Sequence, residues 1–163
     1  MLKNLTPRNA SLLILVAALA TIVGAWIFEY FGYAPCELCL KQRWAYYTAI
    51  PLALIVTLAA ANGVSMAKQG LGLLAVIWFA SMIFGVYHSG VEWKWWPGPD
   101  TCTGTGGLTG GLPDLTAPVV MCDVAAIRIL GFSLAGWNAI ISLALAVVAL
   151  MGLRTQGSSS VSQ

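Results

Sequence analysis

Charge is what this sequence has least of: Asp, Glu, Lys and Arg make up 9% of 163 residues, against about a quarter in soluble globular chains. Histidine occurs once, and no basic run occurs anywhere. A net charge of +2 without a basic cluster excludes tracking of a phosphate backbone, so nucleic acid is not an expected partner. The apolar share of 59% excludes disorder and an ordinary soluble domain. What is left is a protein whose solvent is mostly lipid.

The places where charge is absent mark the membrane spans. Uncharged stretches run over residues 9–28, 44–67, 69–91 and 129–153. Each is long enough to cross about 30 Å of hydrocarbon as a helix, the one open-ended element that satisfies its own backbone there. Helices are expected at about 10–29, 37–61, 69–91 and 129–153, with a loop over 92–128 and a disordered Ser-rich tail at 155–163. The fold class is therefore an all-α membrane protein, a single four-transmembrane-helix bundle with two loops on one side. A cleaved leader is the rival reading of the first span, but its apolar run continues past Ala20 through Phe28, beyond a normal signal core.

Four spans put both termini on one side and the 1–2 and 3–4 connections on the other. All four cysteines fall in or beside those two connections. Basic residues are split evenly between the sides, so the positive-inside rule does not orient the chain. Paired cysteines make sense facing an oxidising compartment, which places them in a bacterial periplasm and both termini in the cytoplasm. Aromatics crowd the same side, among them Phe28, Tyr33, Trp44, Tyr46 and Trp93 to Trp96. They read as an interfacial belt, some of whose rings also line a pocket for a flat ligand.

The first cysteine pair is Cys36-Glu37-Leu38-Cys39, preceded by Pro35. Proline suits the first turn of a helix, so this pair sits at the amino end of helix two, where free backbone amides and the macrodipole favour a thiolate. Arg43 follows Cys39 by four residues, one turn further along the same face. It either snorkels to the phosphate layer or stabilises a thiolate or a carbonyl oxygen. The second pair is Cys102 and Cys122. A structural staple would account for it, but six glycines in 98–111 argue for a mobile, water-exposed disulfide that meets one partner after another. Zinc competes for four cysteines, yet C-x2-C followed by C-x19-C lacks two short spacings, and no metal is expected. His88 and Glu92 lie four apart on one face of helix three, at the level of Cys39 and Arg43. A packing histidine or a shared pocket both fit that placement.

Pro35 to Arg43, the stretch from Trp93 to Pro99 leading into Cys102, and Cys122-Asp123 ahead of a last helix with Ser133 to Asn138 resemble the disulfide bond formation protein B family over nearly the whole chain. The resemblance implies a bacterial inner-membrane thiol:quinone oxidoreductase that reoxidises a periplasmic DsbA-like dithiol oxidase. Its cofactor would be a membrane quinone, ubiquinone or menaquinone. The family pattern makes Cys36 and Cys39 the quinone-coupled pair, with Cys39 the thiolate against the ring. Cys102 would form the mixed disulfide with the partner and Cys122 would resolve it. Arg43 matches the quinone-site arginine, and His88 and Glu92 join it as candidate cofactor-binding residues. Two other classes stay open: a relative of vitamin K epoxide reductase, and a tetraspan scaffold with purely structural disulfides.

Overall fold

The computed structural model describes residues 5–99, 102 and 120–154; the expected disordered tail and most of the glycine-rich stretch lie outside the described residues. Among the described residues, four helices are long and apolar enough to cross a bilayer: α1 (Pro7–Tyr30), α2 (Glu37–Ala61), α3 (Ala67–Glu92) and α4 (Leu134–Arg154). A two-stranded hairpin, β1 (Arg128–Ile129) and β2 (Phe132–Ser133), precedes α4.

Local chemistry sets the ends. Thr6 caps α1 by accepting from the Asn9 N–H at 3.3 Å, with Pro7 in the first turn, where its missing N–H costs nothing. Pro51 lies inside α2 without ending it, as lipid-spanning helices tolerate. The fourth helix departs from expectation by starting at Leu134 rather than 129. Residues 128–133 turn back instead, with Leu130 and Gly131 both at positive φ (53° and 86°), the geometry of a two-residue hairpin turn. The Ser133 hydroxyl then accepts the Gly136 N–H at 3.1 Å and caps the helix. Absence of charge marks what lipid accepts, and it does not distinguish a short apolar hairpin from the helix that follows it.

The helices close a square: α1 and α3 each pack on α2 and α4. Their inward faces are built from small residues, Ala10, Ala18, Ala49, Ala53, Ala146 and Ala149, around Ile14, Leu71, Leu74 and Trp78. Large apolar side chains such as Val16, Ile55, Val76 and Phe79 face outward. This is the pattern of membrane bundles, where close backbone approach replaces a hydrophobic drive between helices. Gly85 shows how close: a Cβ there would lie 2.9 Å from the Ala139 backbone nitrogen. Buried hydroxyls pair across helices, Ser81 with Ser142 at 2.9 Å and Thr57 with Ser11 at 2.9 Å.

Candidate active site

Both cysteine pairs meet at one end of the bundle. Cys36 is the N-cap of α2, and its sulfur accepts the Cys39 backbone N–H at 3.2 Å. The two sulfurs lie 2.6 Å apart, and Cys36 Sγ lies 3.6 Å from His88 Nε2 on α3. The Cys36 thiol is pulled below its usual value, first by the hydrogen bond from the Cys39 side chain and then by His88, against the opposing effect of burial. These contacts favour a thiolate at Cys36, beside His88, while the family resemblance implies the thiolate of the pair at Cys39.

His88 is 1% exposed, and its Nε2 also faces Glu92 Oε1 at 3.9 Å, beyond hydrogen-bond reach, so that contact is electrostatic. Glu92, at the end of α3, faces Ser133 and the Arg128 charge of the hairpin. The guanidinium of Arg128 in turn sits 5.0 Å above the Trp93 ring. Cys36, Cys39 and His88 bring three soft ligand atoms within 4.8 Å of one another. Cysteine spacing did not reveal that set, because the third ligand comes from α3. Two thiolates on one tetrahedral zinc stand about 3.8 Å apart at Zn–S distances of about 2.3 Å. The observed 2.6 Å instead suits sulfurs poised to bond each other.

Cys102 and Cys122 form a disulfide with a Cα–Cα distance of 5.2 Å. The expectation of a water-exposed bond is corrected here. Cys102 is 4% and Cys122 0% exposed, and both pack in one cluster with Cys36, Leu38 and Val91. Val91 at the end of α3 is part of that cluster, and the segment after α3 folds back over the helix end so that Gly98 lies beside Val91 and Cys102. The Trp96 indole N–H donates to the Tyr87 carbonyl at 2.8 Å, its ring stacks on Tyr87, and only a glycine fits beneath it at position 90. Lys94, at φ 59°, reaches Asp123 Oδ2 at 3.2 Å and closes this fold-back against the residue after Cys122.

On the other side of Cys39 is a cavity of about 440 Å³ between α1, α2 and the start of α4. Cys39, Gln42, Arg43 and Tyr46 face it from α2, and Trp137 and Asn138 from α4; Cys36, His88 and Glu92 do not line it. Of the aromatic crowd, Phe28, Tyr33 and Tyr46 line this cavity, while Tyr30, Phe31, Trp44, Trp93 and Trp95 are exposed as a belt would be. Arg43 has a partner that sequence spacing did not indicate: its Nη1 donates to Glu29 Oε2, in the last turn of α1, at 2.7 Å. Gln42 and Asn138 went unnoticed as site residues, and their signal was an uncharged amide inside an apolar span.

The family model described as disulfide bond formation protein DsbB matches residues 7–152. An uncharacterised protein of Rickettsia prowazekii (strain Madrid E), RP370, is similar, with 26% identity over 145 residues that cover 84% of this chain and 82% of that protein. No solved structure matches the chain. With a match over nearly the whole chain and four helices able to span a bilayer, the protein belongs to the DsbB family of disulfide bond formation proteins and is a multi-pass membrane protein.

Proposed function

We propose that the protein is a thiol:quinone oxidoreductase that reoxidises a DsbA-like dithiol oxidase in the periplasm, with both termini in the cytoplasm of a bacterial inner membrane. The observation that carries this reading is the position of Cys39, whose pair partner packs in one buried cluster with Cys102 and Cys122 while Cys39 itself opens on the apolar cavity. A soluble dithiol and a lipid-soluble oxidant share no phase. A protein joining them needs one cysteine pair for each and a contact between the pairs.

The residues of the cavity fit a quinone head. Its volume lies in the range of small-molecule sites, its walls are largely apolar, and Arg43 and Cys39 stand on one helix face at its edge. When bound, the quinone accepts two electrons and two protons and leaves as the quinol. Arg43 presents hydrogen-bond donors to an acceptor oxygen, held in place by Glu29.

The thiol steps balance within the chain. A partner thiolate attacks Cys102, breaking its bond to Cys122; the partner's second thiol then displaces Cys102, and the partner departs as a disulfide. Two electrons and two protons now reside on Cys102 and Cys122. The Cys122 thiolate attacks Cys36 of an oxidised Cys36–Cys39 pair, releasing Cys39; Cys102 closes on Cys122 and releases Cys36. His88 supports the departing Cys36 thiolate at 3.6 Å, so its role and that of Glu92 lie with the sulfur and not with the ring.

The test is a coupled assay with a reduced DsbA-like dithiol and a short-tail ubiquinone or menaquinone. Wild type consumes both in equal amounts; Cys39→Ser stops quinone loss yet still accepts a single round of exchange at Cys102. Thiol blocking that finds no change in any cysteine after the partner is added would leave a scaffold. Partner reduction in place of oxidation would leave the vitamin K epoxide reductase class.

A further inference from the structure

The cavity contains buried donors that the thiol relay does not use. Asn138, on α4, is 7% exposed, and Gln42, on α2, is 8% exposed; both line the cavity. Asn138 Nδ2 and Gln42 Nε2 have no partner among the described residues. In a span surrounded by lipid an amide left in that condition is costly, because no water is at hand to take its hydrogens.

The orientation of Asn138 is dictated by its neighbours. Ser81 and Ser142 share a hydrogen bond at 2.9 Å, and the Tyr46 hydroxyl donates to Asn138 Oδ1 at 2.7 Å. The bond from Tyr46 joins α2 to α4 and occupies the amide oxygen. The hydrogens of Nδ2 remain as the group's free end. Three side chains on the cavity wall, Arg43, Gln42 and Asn138, therefore offer donors. A phosphate-bearing lipid head would call for a cationic cluster, whereas two neutral amides and one neutralised guanidinium suit carbonyl oxygens.

We propose that Asn138, oriented by Tyr46 and joined by Gln42, is a second carbonyl-binding pole of this cavity, so that the ligand is a 1,4-dicarbonyl ring held at both oxygens, one by Arg43 and one by the amides. The inference rests on the quinone reading above and adds which residues recognise the far side of the ring. The amides are positioning groups: they set ring orientation, and with it the face presented to Cys39.

The test uses the full-length protein in detergent and two ligands with the same decyl tail, a 1,4-benzoquinone and a cyclohexenone that carries one carbonyl. Binding is read from quenching of tryptophan fluorescence, Trp137 being part of the cavity wall. Asn138→Leu is expected to weaken the benzoquinone about tenfold, the loss of one buried hydrogen bond, and to leave the cyclohexenone within twofold. Arg43→Ala should weaken both. If Asn138→Leu does not fold, Asn138→Leu with Tyr46→Phe removes both ends of the bond and leaves no orphaned hydroxyl. Equal losses on both ligands, or none on either, overturn the second pole while leaving the quinone site standing. A wild-type protein that binds neither ligand overturns the quinone reading, and the pole with it.

Discussion

Arg43 Nη1 and Glu29 Oε2, 2.7 Å apart, join α2 to the last turn of α1 at the edge of the cavity. The arginine side chain is 12% exposed and the glutamate 44%, so the cation is the buried member of the pair. Removing the arginine leaves an acid that water can reach, and the stability loss should be small, about 1 kcal/mol or less. Arg43→Ala should therefore raise the apparent KM for quinone by tenfold or more with little change in thermal midpoint, and Arg43→Lys should keep partial activity because it loses the planar fork. Glu29→Gln retains an acceptor for Nη1 and should stay within about threefold of wild type. Steady-state rates against quinone concentration check all three; an unchanged KM for Arg43→Ala would reduce the residue to an interfacial anchor.

Burial of the outer disulfide predicts a gate. Cys102 and Cys122 are enclosed, and the fold-back that Trp96 pins to Tyr87 over Gly90 brings Gly98 beside Cys102, so a dithiol is expected to displace that segment to reach sulfur. Trp96→Ala should speed reduction of the bond by dithiothreitol several-fold, measured by alkylating the released thiols at timed points. Cys102→Ser and Cys122→Ser should abolish exchange with the soluble partner while quinone binding persists. A Trp96→Ala protein reduced at the wild-type rate would show that the fold-back does not limit access.

The α3–α4 contact leaves no room for a larger residue at its closest approach. A methyl at position 85 would meet the Ala139 backbone nitrogen and Cα at 2.9 and 3.0 Å, and backbone atoms cannot rotate away as a side-chain tip can. Gly85→Ala should cost about 1–3 kcal/mol and lower the thermal midpoint in detergent by several degrees. Gly72, where nothing lies within 4 Å of the same added atom, is the control, and Gly72→Ala should be neutral or mildly stabilising. Equal midpoints for the two variants would contradict the close approach.

Four spans and the end at which the cysteines gather were legible because lipid excludes charge, and uncharged stretches survive as a linear signal. Pro35 before Cys36 likewise foretold the helix start that makes Cys36 an N-cap. What was not legible depends on the rotation of one helix against another. Glu29 pairs with Arg43 across a connection, and Tyr46 reaches Asn138 across 92 positions of sequence. No periodicity encodes either meeting. Burial of Cys102 and Cys122 was hidden for a different reason: glycine content reports backbone freedom but not that Leu38 and Val91 pack on these cysteines once the chain turns back.

The reduced inner pair should also carry a distinct pH signature. Cys36 Sγ accepts the Cys39 backbone N–H and stands against the Cys39 sulfur, with His88 Nε2 3.6 Å away. Each favours the thiolate, and together they outweigh burial, so the Cys36 thiol ionises well below the ordinary 9.0. The sign follows from linkage. A group whose folded value is depressed adds stability that is fully present above the unfolded thiol value and is lost as pH falls through the folded one. The reduced pair should thus stabilise the protein at neutral pH and cease to do so in acid. Thiolate absorbance near 240 nm, with Cys36→Ser subtracted, should titrate in the acid range and below the midpoint of a free thiol. Cys39→Ala should raise the midpoint most, since its hydrogen bond is the largest contribution, and His88→Gln should raise it less. A wild-type midpoint near 9 would mean that the charge does not rest on Cys36. In the proposed relay Cys122 attacks Cys36 and leaves it as a thiolate, so that result would also remove the reason for transfer to run inward, from the outer pair to the pair beside the cavity.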